Sequence, residues 1–359
     1  MRGGRTYVIA EAGVNHGGDV AVAARLVDAA ADAGADAVKF QTFRADDLVT
    51  RDAPAAAYQR ANVGATRQHE MLAALELDDA AHESLAARAA ERGIEFLSTP
   101  FDLGSLGMLT GRLGLRTIKI GSGDLTNAPL LHAAARAADR LIVSTGMATL
   151  AEVVEAVGVV AHGFAGTGAP SRAAFADAAG SEAGRAAVAS RLTLLHCTSA
   201  YPAPAGEANL RAMATLREAC GCAVGWSDHT LGTHLAVAAV ALGATVIEKH
   251  LTLDRGARGP DHAASLEPTD FAAMVRAIRD VESAIGDGRK APTASERDTA
   301  AVARRSLVAA RAIRAGATIS REDVAVKRPG TGRTPMDAFD VVGRTAARDH
   351  ATDAPLEDR

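Results

Sequence analysis

Residues 244–250 read ATVIEKH, an apolar run that ends in a carboxylate, an ammonium and an imidazole in a row. Runs of this shape recur throughout the chain. Working back from it, they are CAVGWSDH (222–229), LTLLHCTS (192–199), RLIVSTG (140–146), TIKIGSG (117–123), IEFLSTP (94–100), ADAVKFQT (35–42) and TYVIAEAG (6–13). A strand buried on both faces reads as a continuous apolar run, and such strands belong to parallel sheets. Between the runs lie Ala-rich amphipathic segments such as VAVAARLVDAAADAG (20–34) and DAAHESLAARAAERG (79–93), each closed by a glycine stop. Eight strand–helix units before residue 286 predict an α/β fold, a (β/α)8 TIM barrel, for which ~250 residues is typical. A doubly wound sheet is the alternative arrangement of the same units.

Bulk composition narrows the function classes. The chain has 359 residues, 48% hydrophobic and 23% charged, with aromatics at 3%, so its core is large but built from small side chains. A net charge of -4 gives no case for nucleic-acid binding. No run approaches the ~18 apolar residues that would suggest a membrane span, and MRGGRTYVIA has no signal-peptide core, so the expected location is cytoplasmic. The cysteines, Cys197, Cys220 and Cys222, do not have zinc-site spacing and read as thiols in a reducing compartment.

Two stretches break the strand–helix rhythm: 43–78 after the second strand and 162–190 before the sixth. Either could be a lid or a set of extra helices. The expected domain division is a barrel over 1–286, a polar, Pro-containing linker over 287–298 (DGRKAPTASERD) and a small β-rich domain over 299–359. Residues 301–359 hold 11 Lys and Arg against 8 Asp and Glu, so a basic small domain follows an acidic large one.

The chemistry gathers at the strand ends. The first strand leads into Glu11, Asn15 and His16. The second holds Lys39 and Gln41, the third Ser98, Thr99 and Asp102, the fourth Lys119, Ser122 and Asp124, and the fifth Ser144 and Thr145. The sixth gives His196, Thr198, Ser199 and Tyr201, the seventh Ser227, Asp228 and His229, and the eighth Glu248, Lys249 and His250. Barrel active sites lie at the C-terminal ends of the strands, so the Glu-Lys-His row reads as part of an active-site mouth. Ser98 and Thr145 also suit turn caps, and His16, His69, His82, His132 and His234 suit structural hydrogen bonding. His229 and His250 differ: they fall at equivalent points of adjacent strands, 21 residues apart. Two such imidazoles can chelate one cation, with Glu11, Glu248 or water in other positions. Lys39 and Lys119 in a barrel mouth require an anion or carboxylate partner. With Thr99, Ser122 and Ser227 they would hold a small phosphorylated carboxylate; a Schiff-base lysine is the competing use.

IAEAGVNHGG, GADAVKFQTF, IKIGSGDLTNAPLL, STGMATL, HCTSAYPAP, WSDHTLG, VIEKHLTLDRGARGPDHAASLEP and VKRPGTGRTPM follow one another as in the sialic acid synthases. The resemblance covers nearly the whole chain and is closest to the bacterial branch of N-acetylneuraminate and N,N'-diacetyllegionaminate synthases. It implies a transferase that condenses phosphoenolpyruvate with an open-chain N-acetylated mannosamine-type sugar, either N-acetylmannosamine or 2,4-diacetamido-2,4,6-trideoxymannose. The products would be a nine-carbon 2-keto acid and phosphate, with C–O cleavage and a divalent metal, manganese, as cofactor. By resemblance His229 and His250 are the metal ligands, and Glu11 and Glu248 are carboxylates beside the metal. Lys39, Thr99, Lys119, Ser122, Ser144, Ser199 and Ser227 lie at phosphoenolpyruvate. Gln41, Asp124, Tyr201 and Asp261 contact the sugar. The tail resembles an antifreeze-like (SAF) capping domain, which implies a homodimer with exchanged caps in which Arg328 of VKRPG reaches the partner's sugar. Relatives usually carry Glu in place of Asp124, some carry Asn in place of Ser199, and the legionaminate-type motif has a larger residue in place of Ala200. A different metal-dependent lyase or aldolase acting on pyruvate or phosphoenolpyruvate, and a non-catalytic sugar-binding barrel, are the competing classes.

Overall fold

In the computed structural model, residues 5–55, 60, 64 and 67–357 are described. The chain divides into two compact units, Met1–Gly286 and Asp287–Arg359. The first holds eight parallel strands: β1 (Tyr7–Gly13), β2 (Ala37–Thr42), β3 (Glu95–Pro100), β4 (Thr117–Ile120), β5 (Arg140–Ser144), β6 (Leu192–Cys197), β7 (Ala223–Asp228) and β8 (Val246–His250). Their order is β3-β2-β1-β8-β7-β6-β5-β4. The first and eighth strands are therefore neighbours, the closure expected of a TIM barrel and not of an open doubly wound sheet. Helices α1 (Val20–Asp32), α2 (Asp79–Glu91), α3 (Ala128–Ala137), α4 (Leu150–Ala165), α5 (Arg172–Gly180), α6 (Glu182–Arg191), α7 (Ala212–Cys220), α8 (His234–Ala241) and α9 (Pro268–Ile285) alternate with them.

Strand alternation sorts the apolar residues into two cores. Val38, Phe40, Ile118, Ile120, Trp226 and Ile247 point outward and pack with the helices. Ile9, Ala37, Leu97, Ile142, Leu195 and Val246 point inward and fill the barrel as a layer of their own. Gly225 belongs at that level because a Cβ there would run into the Val246 carbonyl and come within 2.8 Å of Leu195. The barrel is thus plugged from below, and the next inward residue on each strand faces an open mouth.

The two irregular stretches resolve differently. Within 43–78 the described residues form short helices at Ala45–Leu48 and Gln68–Ala73, whose apolar side chains join Val14 and Phe43 in a small satellite core. Within 162–190 the chain extends α4 and then adds α5 and α6. These pack outside the barrel, with Gly158 of α4 so close to the Phe175 backbone that a Cβ would lie 3.0 Å from its carbonyl oxygen. None of residues 162–190 lines the mouth cavity.

The second unit has its own core of Leu307, Ala309, Ile313, Ile319, Val341, Ala346 and Leu356. It is built on antiparallel β9 (Ser306–Ala309) and β10 (Val324–Lys327). Part of the stretch read as a linker is helical: Glu296–Ala303 forms a helix with no buried residue, started by Thr293, whose amide and hydroxyl both donate to Glu296. An apolar-periodicity reading has no purchase on such a helix. Among the described residues no helix is long and apolar enough to cross a membrane.

Candidate active site

Two residues beyond the inward apolar layer, the barrel changes character. Ile9 is followed on the inner face by Glu11, Ala37 by Lys39, Leu97 by Thr99, Ile142 by Ser144, Leu195 by Cys197 and Val246 by Glu248. This polar ring lines a cavity of about 580 Å³. Strand register locks it together, since Glu11 lies beside both Lys39 and His250, and Ser227 beside Glu248.

The ring is a dense ionic cluster. Lys39 Nζ lies 2.5 Å from Glu11 and 3.7 Å from Glu248, and donates to Thr99 Oγ1 at 3.0 Å. Lys119 Nζ donates to Ser144 Oγ at 2.6 Å and to the Ile120 carbonyl, and lies 3.7 Å from Glu248. Glu248 also accepts from Ser227 at 2.8 Å. All four charged side chains are buried. Burial drives the two carboxyls apart in strength. It raises Glu11 to about 7, with Glu248 adding to the rise and Lys39 opposing it. Burial also acts against charge on Glu248, but Lys119 and Lys39 outweigh it and hold that carboxyl at about 2. The same burial lowers Lys119. Burial likewise acts on Lys39, but Glu11 and Glu248 outweigh it and raise that ammonium. One carboxyl therefore stays ionised while its neighbour exchanges protons near neutrality.

His229 and His250 come together above this cluster, with ring centroids 5.5 Å apart. His229 Nδ1 is 2.7 Å from the Thr198 carbonyl, to which it donates, leaving Nε2 with a lone pair. His250 Nδ1 is buried without a hydrogen-bond partner, its nearest carboxylate being Asp261 at 3.9 Å. Burial lowers His229, and it lowers His250 further, with His229 and Lys39 adding to the effect, so both rings favour the neutral, ligating form. Among the described residues no group of three or more His, Cys, Asp and Glu is arranged to hold a metal. His229 and His250 are the residues that could hold a cation, as a two-imidazole set that would need water or substrate oxygens to complete it. Burial raises the Asp261 carboxyl to about 6, with Lys39 opposing the rise. Asn15 pins its loop by donating to Ser265 Oγ and to the Leu251 carbonyl, both at 2.9 Å.

The cavity lining includes Glu11, Lys39, Gln41, Thr99, Lys119, Ser122, Ser144, Ser199, Tyr201, Ser227, His229, Glu248, His250 and Asp261. Tyr201 lies over His229, with ring centroids 4.3 Å apart, and Ser122 accepts from the Gly146 amide at 2.9 Å. Two residues singled out in the sequence are not among these lining residues. Asp124 is outside the lining, in a short 3-10 turn where it accepts from Asn127 at 3.0 Å. Arg328 is exposed in the second unit, just after β10. The Glu-Lys-His row needs correction at its middle member. Glu248 and His250 face the cavity, but Lys249 points out of the barrel and pairs with Asp228 at 2.9 Å, both fully buried. Strand period two dictates this, since neighbours in sequence face opposite sides.

Sequence reasoning missed the Gly146 contact and the apolar side of the cavity, Leu48, Val49, Met71, Leu72, Leu75 and Phe101. Gly146 lies so close to the polar ring that any Cβ would collide with Ser199 Oγ and come within 2.9 Å of Ser122 Oγ. The pair Met71 and Leu75, one helical turn apart, was the available signal for the apolar side.

Residues 26–290 match the NeuB family and residues 304–358 match the SAF domain. The chain belongs to the NeuB family. It is 42% identical to the N,N'-diacetyllegionaminic acid synthase of Campylobacter jejuni, over 97% of this chain and 98% of that protein. It is 44% identical to the enzyme of the same name from Legionella pneumophila, over 94% and 89%. The crystal structure of an N-acetylneuraminic acid (sialic acid) synthetase from Leptospira borgpetersenii, in complex with citrate, superposes with a TM-score of 0.67 at 32% identity, over 83% of this chain and 91% of that one. The protein is therefore a NeuB-family synthase, an enzyme of the transferase type, and the ionic ring is its candidate active site. That assignment explains why two lysines are buried at strand ends.

Proposed function

We propose that the protein condenses phosphoenolpyruvate with an open-chain N-acetylated mannosamine-type sugar to give a nine-carbon 2-keto acid and phosphate. The observation that carries this reading is the ring itself: two buried ammoniums, two carboxyls of opposite strength and two neutral imidazoles on adjacent strands of one cavity. Lys39 and Lys119, with the hydroxyls of Thr99, Ser122, Ser144 and Ser227, hold the phosphate and carboxylate of phosphoenolpyruvate. Gln41, Tyr201 and Asp261 line the side where the sugar sits. His229 and His250 would hold the divalent cation, manganese in our reading, which supplies Lewis acidity toward the aldehyde. C3 of phosphoenolpyruvate bonds to the aldehyde carbon, water adds at C2, and phosphate leaves with the bridging oxygen. Glu11 takes a proton from that water and returns one to the new hydroxyl. Glu248 remains charged and keeps both lysines in place.

Phosphate release with phosphoenolpyruvate and a panel of amino sugars tests the reaction. Turnover in labelled water should place the label on C2 of the product acid and none in the phosphate; label in the phosphate would mean P–O cleavage and a different chemistry. Glu11 fixes a second expectation. Because a proton acceptor works only when ionised, kcat/KM should rise with pH and level off through an apparent pKa near 7. Glu11→Gln should abolish that limb together with nearly all turnover, while direct binding of phosphoenolpyruvate persists. The metal reading predicts that chelation stops turnover and manganese restores it. His250→Ala should abolish the calorimetric signal of manganese binding while the protein stays folded. Full activity in rigorously metal-free protein would falsify that part.

The second unit supports a homodimer with exchanged caps. Met336 and Phe339 are 86% and 80% exposed there, an apolar surface that a lone small domain rarely shows to water. Arg328 lies exposed in the same unit, available to a second copy.

A further inference from the structure

The active-site cavity has two sides of opposite character, and the condensation uses only one. Besides the ionic ring, the lining includes an apolar wall of Val14, Leu48, Met71, Leu72, Leu75 and Phe101. These six belong to the satellite core that also contains Phe43 and Ala45, separate from the barrel's own core. Leu72 is buried and fixes the wall. Leu48, Met71, Leu75 and Phe101 are half-buried and present their remaining surface to the cavity. The main polar group on this side is Gln68, one helical turn before Leu72. Leaving such a surface wet is unfavourable by about 25 cal/mol per Å², which a ligand with an apolar end recovers on binding.

Phosphoenolpyruvate is not that ligand, because its charged groups belong with Lys39 and Lys119. Of the two substrates, the sugar is the one left to meet the wall. A hydroxymethyl end would lose its water against a surface with little to hydrogen-bond it, whereas a methyl end would not. We infer that this wall sets acceptor specificity: it selects amino sugars whose terminal carbon is deoxygenated, with Met71 and Leu75 as the discriminating side chains. The inference rests on the synthase reading above. The described residues Leu48, Met71, Leu72 and Leu75, between β2 and α2, are then the ones that tell one acceptor from another.

The experiment compares two acceptors of the same configuration that differ only in a terminal methyl or hydroxymethyl, by kcat/KM from phosphate release. The native protein should favour the methyl sugar by tenfold or more, the range that one buried apolar group supplies. Met71→Gln and Leu75→Gln should each cut that preference by about tenfold, through acceptor kcat/KM, with the KM for phosphoenolpyruvate unchanged. Both positions are half-buried, so the variants should fold, and two independent sites guard against the failure of one. An unchanged ratio in both variants, with an unchanged phosphoenolpyruvate KM, overturns the inference and leaves the synthase reading standing. No phosphate release with either sugar or with the wider panel overturns the synthase reading, and the inference with it.

Discussion

Lys249→Met is expected to destabilise the barrel by about 3–5 kcal/mol, the usual result of removing one partner from a buried ion pair. Lys249 and Asp228 are both 0% exposed, with Nζ 2.9 Å from the carboxylate. The other carboxylate oxygen accepts from the Thr230 amide at 2.8 Å and from its hydroxyl at 2.7 Å, and Lys249 donates to the Thr230 carbonyl. The pair thus closes a small network on the outer face of β7 and β8, one residue away from each histidine. Without the ammonium, the Asp228 carboxyl is left without its ion-pair partner in a layer that also holds Trp226 and Ile247. Trp226 is the chain's one tryptophan and is buried two residues before Asp228, so denaturant unfolding followed by its fluorescence reports on this region directly. The double variant Asp228→Leu with Lys249→Met should recover at least half of the loss, because an apolar pair needs no counter-charge. A single-variant loss below about 1 kcal/mol would mean that the pair is solvated and that the network does not hold the two strand ends.

This network also shows what the sequence makes legible. Eight apolar runs ending in polar residues are visible without coordinates, because parallel strands buried on both faces leave that pattern. The inner ring was legible for the same reason. From each inward apolar residue the next one inward is two steps on, which picks out Glu11, Lys39, Ser144 and Glu248 from among their neighbours. Applied to the eighth strand, that rule assigns Lys249 to the outer face; proximity in sequence to Glu248 and His250 suggested the mouth instead. Asp124 shows a second use of a strand end, since its carboxylate accepts from Asn127, the N-cap of α3, beside the cavity-lining Ser122 and Gly123. The apolar wall left a fainter trace. Its residues come from separate short helices and from the ends of β1 and β3, and no local periodicity connects segments that meet only in the fold.

Lys119→Ala is expected to lower kcat/KM for phosphoenolpyruvate about 10³-fold. Two charge-assisted hydrogen bonds to the substrate, at roughly 1.5–3 kcal/mol each, set that scale. The ammonium is enclosed, 2% exposed, between Ser144 and Glu248, so Lys119→Arg should rescue little: the guanidinium is larger than the space. The loss serves a second purpose, because the defect lies wholly in the first unit. Arg328→Ala lies wholly in the second and should weaken use of the sugar, by one charge-assisted hydrogen bond. If the cap of one protomer completes the barrel of its partner, mixing the two impaired variants creates dimers with one intact site, since one protomer supplies Lys119 and the other Arg328. Activity should then return after subunit exchange, approaching a quarter of the native level at equal mixing, with half the dimers mixed and half their sites intact. If each cap serves its own barrel, every site in the mixture carries one defect, and no activity returns however long the exchange. Size-exclusion chromatography of each variant first tests whether both are dimers, as the proposal requires. The restored rate as a function of mixing ratio then distinguishes the two arrangements, because only exchange in trans gives a maximum at equal amounts.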